Sequence, residues 1–159
     1  MIMRSRLMAL ICFGLLGLAG CAPQPGPQNN ALSSVPPVPP GGARIWMLRQ
    51  LDVAHENFSA SDPAVFIDNV DLGHIAAGTV FYHDVPPGTY RLRVQPYGTP
   101  THLVDTVQLS RDMTAFLQVQ EVPNWEQGST AAGASFAVLT MVPQDAEAAI
   151  PTLKFVGRR

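Results

Sequence analysis

Residues 84–95 read DVPPGTYRLRVQ, and this stretch carries the clearest sign of the fold. In its second half the apolar residues Tyr90, Leu92 and Val94 alternate with arginine and glutamine. Successive side chains of a strand point to opposite faces, so the alternation predicts a strand with one face in a core and the other in water. Residues 86–88 (PPG) place a φ-locked proline before a glycine that tolerates positive φ. They predict a turn that joins this strand to the preceding one as a hairpin.

Short apolar segments separated by turn residues continue over residues 44–159. Strands are predicted at 44–50, 64–68, 78–85, 89–95, 103–109, 114–121 and 134–142. This spacing is typical of all-β folds, and we expect an antiparallel β-sandwich of about seven strands. Residues 68–73 are expected to form a polar reversal. Gln144–Ile150 lies between two prolines and predicts a short C-terminal helix.

The composition fits one globular domain with appendages, since 47% of the 159 residues are hydrophobic and 14% are charged. Ten basic residues stand against twelve acidic ones, for a net charge of −2. This balance does not provide the electropositive face that nucleic acid requires, so we expect no nucleic-acid partner. The two cysteines, Cys12 and Cys21, both precede the predicted domain, which therefore has no internal disulfide available.

The first twenty residues have the order of a secretory signal. Arg4 and Arg6 precede an apolar run over residues 7–18, and the small residues Ala19 and Gly20 follow it. An uncleaved membrane anchor is the alternative, but a spanning helix needs roughly 20 apolar residues. We therefore predict a cleaved signal peptide at 1–20.

Residues 18–21 read LAGC and resemble the lipobox of bacterial lipoproteins. The resemblance implies a thioether-linked diacylglycerol on Cys21, cleavage between Gly20 and Cys21, and a further acyl chain, such as palmitate, on the new amino terminus. Two or three chains hold a protein stably on a membrane, whereas one holds it weakly. An ordinary thiol after a simple signal peptide is the alternative. Ala22, where retained lipoproteins favour Asp, points to the outer membrane facing the periplasm.

Residues 21–43 form the predicted linker between this lipidated cysteine and the domain. They are rich in Pro and Gly and end in VPPVPPGG before Ala43. Proline fixes φ and lacks an amide donor, so polyproline II and coil are expected. A tether is the expected role, and a ligand for a proline-recognition domain is the alternative.

Residues 64–68 (AVFID), Leu72, Gly73, Gly78 and 84–94 (DVPPGTYRLRV) resemble PEGA-type domains and a related group of bacterial lipoproteins with an uncharacterised domain. The sequence departs from those families at Asn69, where they favour Gly. The resemblance implies a small antiparallel sandwich of surface or scaffolding type. It brings no catalytic residues with it.

Few residues form a recognisable chemical motif. The four histidines, at 55, 74, 83 and 102, lack metal-ligand spacing, and Asp68, Asn69 and Asp71 lack the later ligands of a calcium loop. Ser135 precedes a strand-like run, whereas a nucleophile elbow precedes a helix. We therefore expect no catalytic residue, metal or cofactor.

Trp125 lies in the long segment 123–133 between two predicted strands and is the candidate partner-binding residue. Its alternative role is packing against the edge of the sandwich. The terminal Lys154, Arg158 and Arg159 are expected to be solvated at a frayed end.

These observations predict a noncatalytic lipoprotein of the cell envelope whose sandwich is an interaction or structural module. Its partners are expected to be the membrane, through covalent lipid, and an envelope protein or glycan. The alternative is an envelope hydrolase, or a glycan-binding or glycan-active protein, with a site assembled by the fold from residues such as His83, Asp105 and Ser135. A deep pocket favours the enzyme, and a shallow polar surface favours the module.

Overall fold

The computed structural model describes residues 31–51, 62–95, 105–122 and 135–159. Strands make up most of this part of the chain. In chain order the elements are α1 (Ala31–Ser34), β1 (Ala43–Arg49), β2 (Ala64–Ile67), β3 (Val70–His74), β4 (Thr79–Val85), β5 (Gly88–Gln95), β6 (Asp105–Leu109), β7 (Thr114–Val122), β8 (Ser135–Thr140), α2 (Pro143–Ala149), a 3₁₀ turn (Ile150–Thr152) and β9 (Lys154–Arg158).

The strands form two sheets that face each other. Sheet A has the order β8-β7-β1-β4-β9, and sheet B has the order β3-β2-β5-β6. The predicted all-β sandwich is thus confirmed, with nine strands among the described residues where about seven were expected. Two pairings, β1 with β7 and β4 with β9, are parallel, so the expectation of a wholly antiparallel sandwich is wrong in this detail.

The main core lies between the sheets and consists of the inward side chains of both. The alternation that predicted β5 is confirmed, since Leu92 and Val94 are buried and Arg91 and Gln95 are exposed. In β7, likewise, Leu117 and Val119 are buried. Sheet A contributes Ala43, Ile45, Met47, Phe81, Val85, Ala115, Leu117, Val119, Phe136 and Val138, and sheet B contributes Val65, Ile67, Leu72, Leu92, Val94, Val107 and Leu109.

A second apolar layer covers the outer face of sheet A, so β1 is buried on both faces. The helix predicted between two prolines is confirmed, with Pro143 in its first turn and the 3₁₀ turn at Pro151 after it. These elements pack on the sheet through Ala146, Ala149, Ile150 and Leu153, against Trp46, Leu48, Val80, Tyr82 and Phe116, together with Ala31 of α1. Sheet A is therefore the middle layer of the molecule.

The hairpin predicted at residues 86–88 is wrong. Val85 pairs with Ala43 in sheet A, whereas Gly88 pairs with Leu109 in sheet B. Because β4 has β1 on one side and β9 on the other, it has no free edge for β5. The two prolines instead lead the chain from one sheet to the other.

The polar reversal predicted at 68–73 is only two residues long. Asp68 and Asn69 make the turn, and β3 follows in an antiparallel pairing with β2. The left-handed conformation, with φ of 53°, falls on Asp68 and not on Asn69. The Asp68 carboxylate accepts a hydrogen bond from the backbone N–H of Arg91 at 2.8 Å, which holds the turn against β5.

Lys154, Arg158 and Arg159 are exposed, as expected, but the expected frayed end is wrong. Lys154–Arg158 forms β9, and Arg159 continues past it to bridge the sheets. Its backbone N–H donates to the Tyr82 carbonyl in sheet A at 2.9 Å, while its guanidinium donates to the Leu72 and His74 carbonyls in sheet B, each at 2.9 Å. The same guanidinium lies over the Phe81 ring. Arg159 therefore closes the side of the sandwich where β9 and β3 meet.

Residues 31–42, named here the N-terminal strap, pack on the domain although the predicted linker runs to residue 43. Ala31 is 2% exposed, and Leu32 and Val35 pack against the second apolar layer. At its end, the Gly42 carbonyl accepts a hydrogen bond from the N–H of Asp112. The folded unit thus begins before the predicted boundary. No helix within the described residues is long and apolar enough to span a bilayer.

Candidate functional site

The residues for which the sequence predicts a specific role lie outside the described part of the chain. Gly20 and Cys21, at the predicted cleavage and lipid-attachment site, precede residue 31, and Trp125 falls between residues 122 and 135. His55 and His102 also lie outside it. What the structure defines is the fold to which these segments connect.

The structure separates the residues considered for a hydrolase. His83 in β4 is opposite Ile45, which pairs with Ala115 in β7. Ser135 pairs with Val122, seven residues further along β7, on a strand three positions from β4. Strand geometry places His83 and Ser135 about 23 Å apart along the sheet and about 14 Å apart across it. This pair therefore cannot exchange a proton, and Asp105 belongs to the other sheet.

The two described histidines bind backbone carbonyls. His74 Nδ1 lies 2.6 Å from the Asp62 carbonyl oxygen, and His83 Nδ1 contacts the carbonyl oxygen of Arg159. The Asp71 carboxylate accepts from the N–H of Gly73 at 2.7 Å, as expected of a turn residue. Within the described ranges, no three His, Cys, Asp or Glu side chains are placed to hold a metal ion.

A buried ion pair that sequence reasoning missed holds the N-terminal strap. Arg44 and Asp84 are cross-strand neighbours in β1 and β4. The Arg44 Nε and Nη2 atoms donate to the two carboxylate oxygens of Asp84 at 2.6 and 3.1 Å. The side chains are only 4% and 7% exposed. A two-point charge-assisted pair of this kind is both strong and directional.

The Arg44 guanidinium makes further contacts through its Nη1 donor and through its flat face. Arg44 Nη1 donates to the carbonyl of Pro36 at 2.7 Å, and its Cζ lies 4.1 Å from the centre of the Tyr82 ring. Arg158 Nε approaches the Asp84 carboxylate from the solvent side at 3.6 Å. Because prolines cannot join a sheet through an N–H, a side chain that binds their carbonyls is an effective way to fasten the strap. The signal in the sequence was a single Arg at the head of an apolar strand, RIWML.

The outer face of sheet B carries polar and charged side chains among the described residues. Both described helices lie on sheet A, so neither of them covers this face. Arg93 lies over the ring of Phe66, with its Cζ 5.2 Å from the ring centre, and donates to the Asp68 carbonyl at 3.2 Å. Around these residues are the side chains of Thr89, Arg91, Gln95, Thr106 and Gln108, all exposed.

Tyr90 lies at the margin of sheet B, close to the turn between the sheets. Its hydroxyl donates to the Pro86 carbonyl at 2.6 Å. Burial raises the pKa of Tyr90 above its ordinary value of 10.0, and the nearby Asp68 carboxylate raises it further. The phenol is therefore a hydrogen-bond donor at neutral pH. Its hydrogen bond to Pro86 stabilises the turn between the two sheets.

Comparisons with protein-family models, with curated proteins and with solved structures find no match to this chain.

Proposed function

We propose that the protein is a lipid-anchored envelope lipoprotein whose sandwich is a noncatalytic interaction or structural module. The observation that carries the proposal is LAGC at residues 18–21, directly after an apolar run of signal-peptide type. In this proposal Cys21 carries the diacylglycerol, and the domain lies in the aqueous space beside the membrane, in the periplasm at the outer membrane.

Two features of the described residues support a module over an enzyme. His83 and Ser135 are about 27 Å apart by strand geometry, too far for proton transfer. The exposed polar side chains on the outer face of sheet B suit binding of an envelope protein or glycan. Trp125 remains the proposed aromatic contact for that partner.

Metabolic labelling tests the anchoring. Cells that express the wild-type chain or Cys21→Ala are labelled with palmitate, and the protein is purified and its amino terminus determined. We expect label only in the wild type, with the mature chain beginning at an acylated Cys21. Equal label in both chains contradicts the proposal.

Crosslinking in intact cells, followed by mass spectrometry, tests the role of the module. We expect crosslinks from sheet B, introduced at Gln108, to one recurrent envelope component. A matched crosslinker at Glu147 on α2 serves as the control. Turnover of a glycan or ester substrate by the purified protein contradicts a noncatalytic role.

A further inference from the structure

We propose that the N-terminal strap turns the helical side of sheet A toward the membrane and presents the outer face of sheet B to the aqueous compartment. The inference rests on the proposed lipid anchor at Cys21. It concerns which side of the domain meets the bilayer, a property that the anchor alone does not determine.

The first step is the point at which the chain leaves the fold. Ala31 is 2% exposed within the layer that covers the outer face of sheet A. Leu32 and Val35 pack in the same layer, and Arg44 fastens the strap at Pro36. The segment that leads to Cys21 therefore departs from the sheet A side of the molecule.

The second step is the length of that segment. Ten peptide units separate Cys21 from Ala31, so they span at most about 35 Å. A flexible chain of this length has a typical end-to-end distance of about 18 Å. If the tether began at residue 44, twenty-three units would allow about 80 Å. The strap thus removes more than half of the available reach.

The third step compares this reach with the thickness of the domain. Two sheets pack about 10 Å apart, and a helical layer adds about 10 Å more. To bring sheet B against the bilayer, the tether must reach past these layers, about 20 Å, which exceeds its typical end-to-end distance of about 18 Å before any path around the edge of the domain is added. With the helical side toward the bilayer, the ten peptide units between Cys21 and Ala31 do not have to span these layers. The second arrangement is favoured by the entropy of the tether.

The charges on the helical side of the domain do not attract it to the bilayer. Asp145 and Glu147 of α2 are exposed, and they repel anionic headgroups. The orientation therefore comes from the covalent tether and its strap, and we expect it in vesicles of neutral lipid.

Energy transfer to the vesicle surface tests the orientation in the full-length lipidated protein. The mature chain has Cys21 as its single cysteine, blocked by lipid, so an introduced cysteine carries the only dye. A donor is placed at Glu147→Cys on the helical side or at Gln108→Cys on sheet B, both exposed positions. Phosphatidylcholine vesicles carry an acceptor on a small fraction of headgroups. We expect at least twofold higher transfer efficiency from position 147 than from position 108.

A longer tether provides the matched variant. Twenty Gly and Ser residues inserted between Asn30 and Ala31 leave all the described contacts in place and restore the reach of the tether. We expect the transfer efficiencies at the two positions to converge. Equal transfer in the unmodified protein, or a difference that survives the insertion, overturns the inference alone. Protein that does not float with the vesicles overturns the lipid anchor itself, and the orientation with it.

Discussion

Asp84→Leu removes the carboxylate that neutralises Arg44 at the head of β1. The Arg44 side chain is 4% exposed, so water cannot replace the lost partner. Removing one member of a buried ion pair typically costs about 3–5 kcal/mol. Arg44 retains the Pro36 carbonyl at 2.7 Å and the face of Tyr82 at 4.1 Å, so we expect the lower end, about 3 kcal/mol.

Urea unfolding of the full chain measures this loss as a change in the free energy of unfolding. Trp46 is a suitable probe because it is 2% exposed and lies 5.4 Å from the Tyr82 ring and 5.9 Å from the Phe155 ring, between centroids. Trp125→Phe in every variant leaves Trp46 as the only indole. For a domain of this size, a loss of 3 kcal/mol corresponds to a fall in Tm of about 10–15 °C.

A double-mutant cycle separates the ion pair from simple loss of packing. Arg44→Met alone removes the buried partner of the Asp84 carboxylate. We therefore expect it to lower the free energy of unfolding by about 3 kcal/mol as well. The double variant Arg44→Met/Asp84→Leu contains no buried charge at this position and should cost about 1 kcal/mol. Arg158→Gln is the control for an exposed partner, since Arg158 is 60% exposed and 3.6 Å away, and should cost less than about 0.5 kcal/mol. Additive losses in the two single variants would refute the reasoning.

Two further predictions concern the margin of the sandwich. Gly73→Ala should destabilise the fold more than Gly157→Ala, by up to about 1 kcal/mol, because both have positive φ but only the Cβ at residue 73 meets the Arg159 guanidinium, at 2.7 Å. The flexible Arg159 side chain can move away, but it then weakens its hydrogen bonds to the Leu72 and His74 carbonyls. Thermal unfolding checks this, and equal losses contradict the contact. Tyr90 favours its protonated form in the folded state, so its stabilising contribution is complete below the ordinary pKa of 10.0 and declines as pH rises through the higher folded value. Tyr90→Phe should remove that part of the alkaline loss of stability, and an unchanged alkaline profile contradicts the expected pKa.

Much of the local structure of the described residues was predictable. Alternation at residues 90–95 identified β5 and its buried face, because a strand repeats every two residues. The prolines at 143 and 151 limited the helix between them, since proline suits a first turn and stops continuation. Both signals depend only on neighbouring residues.

Two strands were missed because their residues are not those of a typical strand. β3 contains Asp71 and Gly73, which favour turns, and β9 contains Gly157 and has a charged residue at each end. Each forms at the edge of a sheet, where pairing with a stronger neighbour outweighs weak propensity. The hairpin at 86–88 failed for a related reason, because the turn chemistry predicts a reversal but not the sheet that receives the next strand.

The candidate site was harder to predict from the sequence than the fold. The partnership of Arg44 with Asp84 joins residues forty positions apart, and the stretch 84–94 that resembles a known family gives no sign of it. The fastening of the strap by Pro36 also depends on the geometry of that pair. Residues 31–42 therefore have the composition of a linker but the contacts of a folded element.

The amino-acid sequence by itself determined seven of the nine described strands, the apolar face of β5, and a net charge of −2. Only the tertiary structure decided which sheet each strand joins, that the middle sheet is buried on both faces, and that the strap belongs to the domain. Alternation, turn chemistry and charge are properties of short segments. Pairing and burial depend instead on surfaces that come together only when distant segments compete for the same sheet edges and the same core.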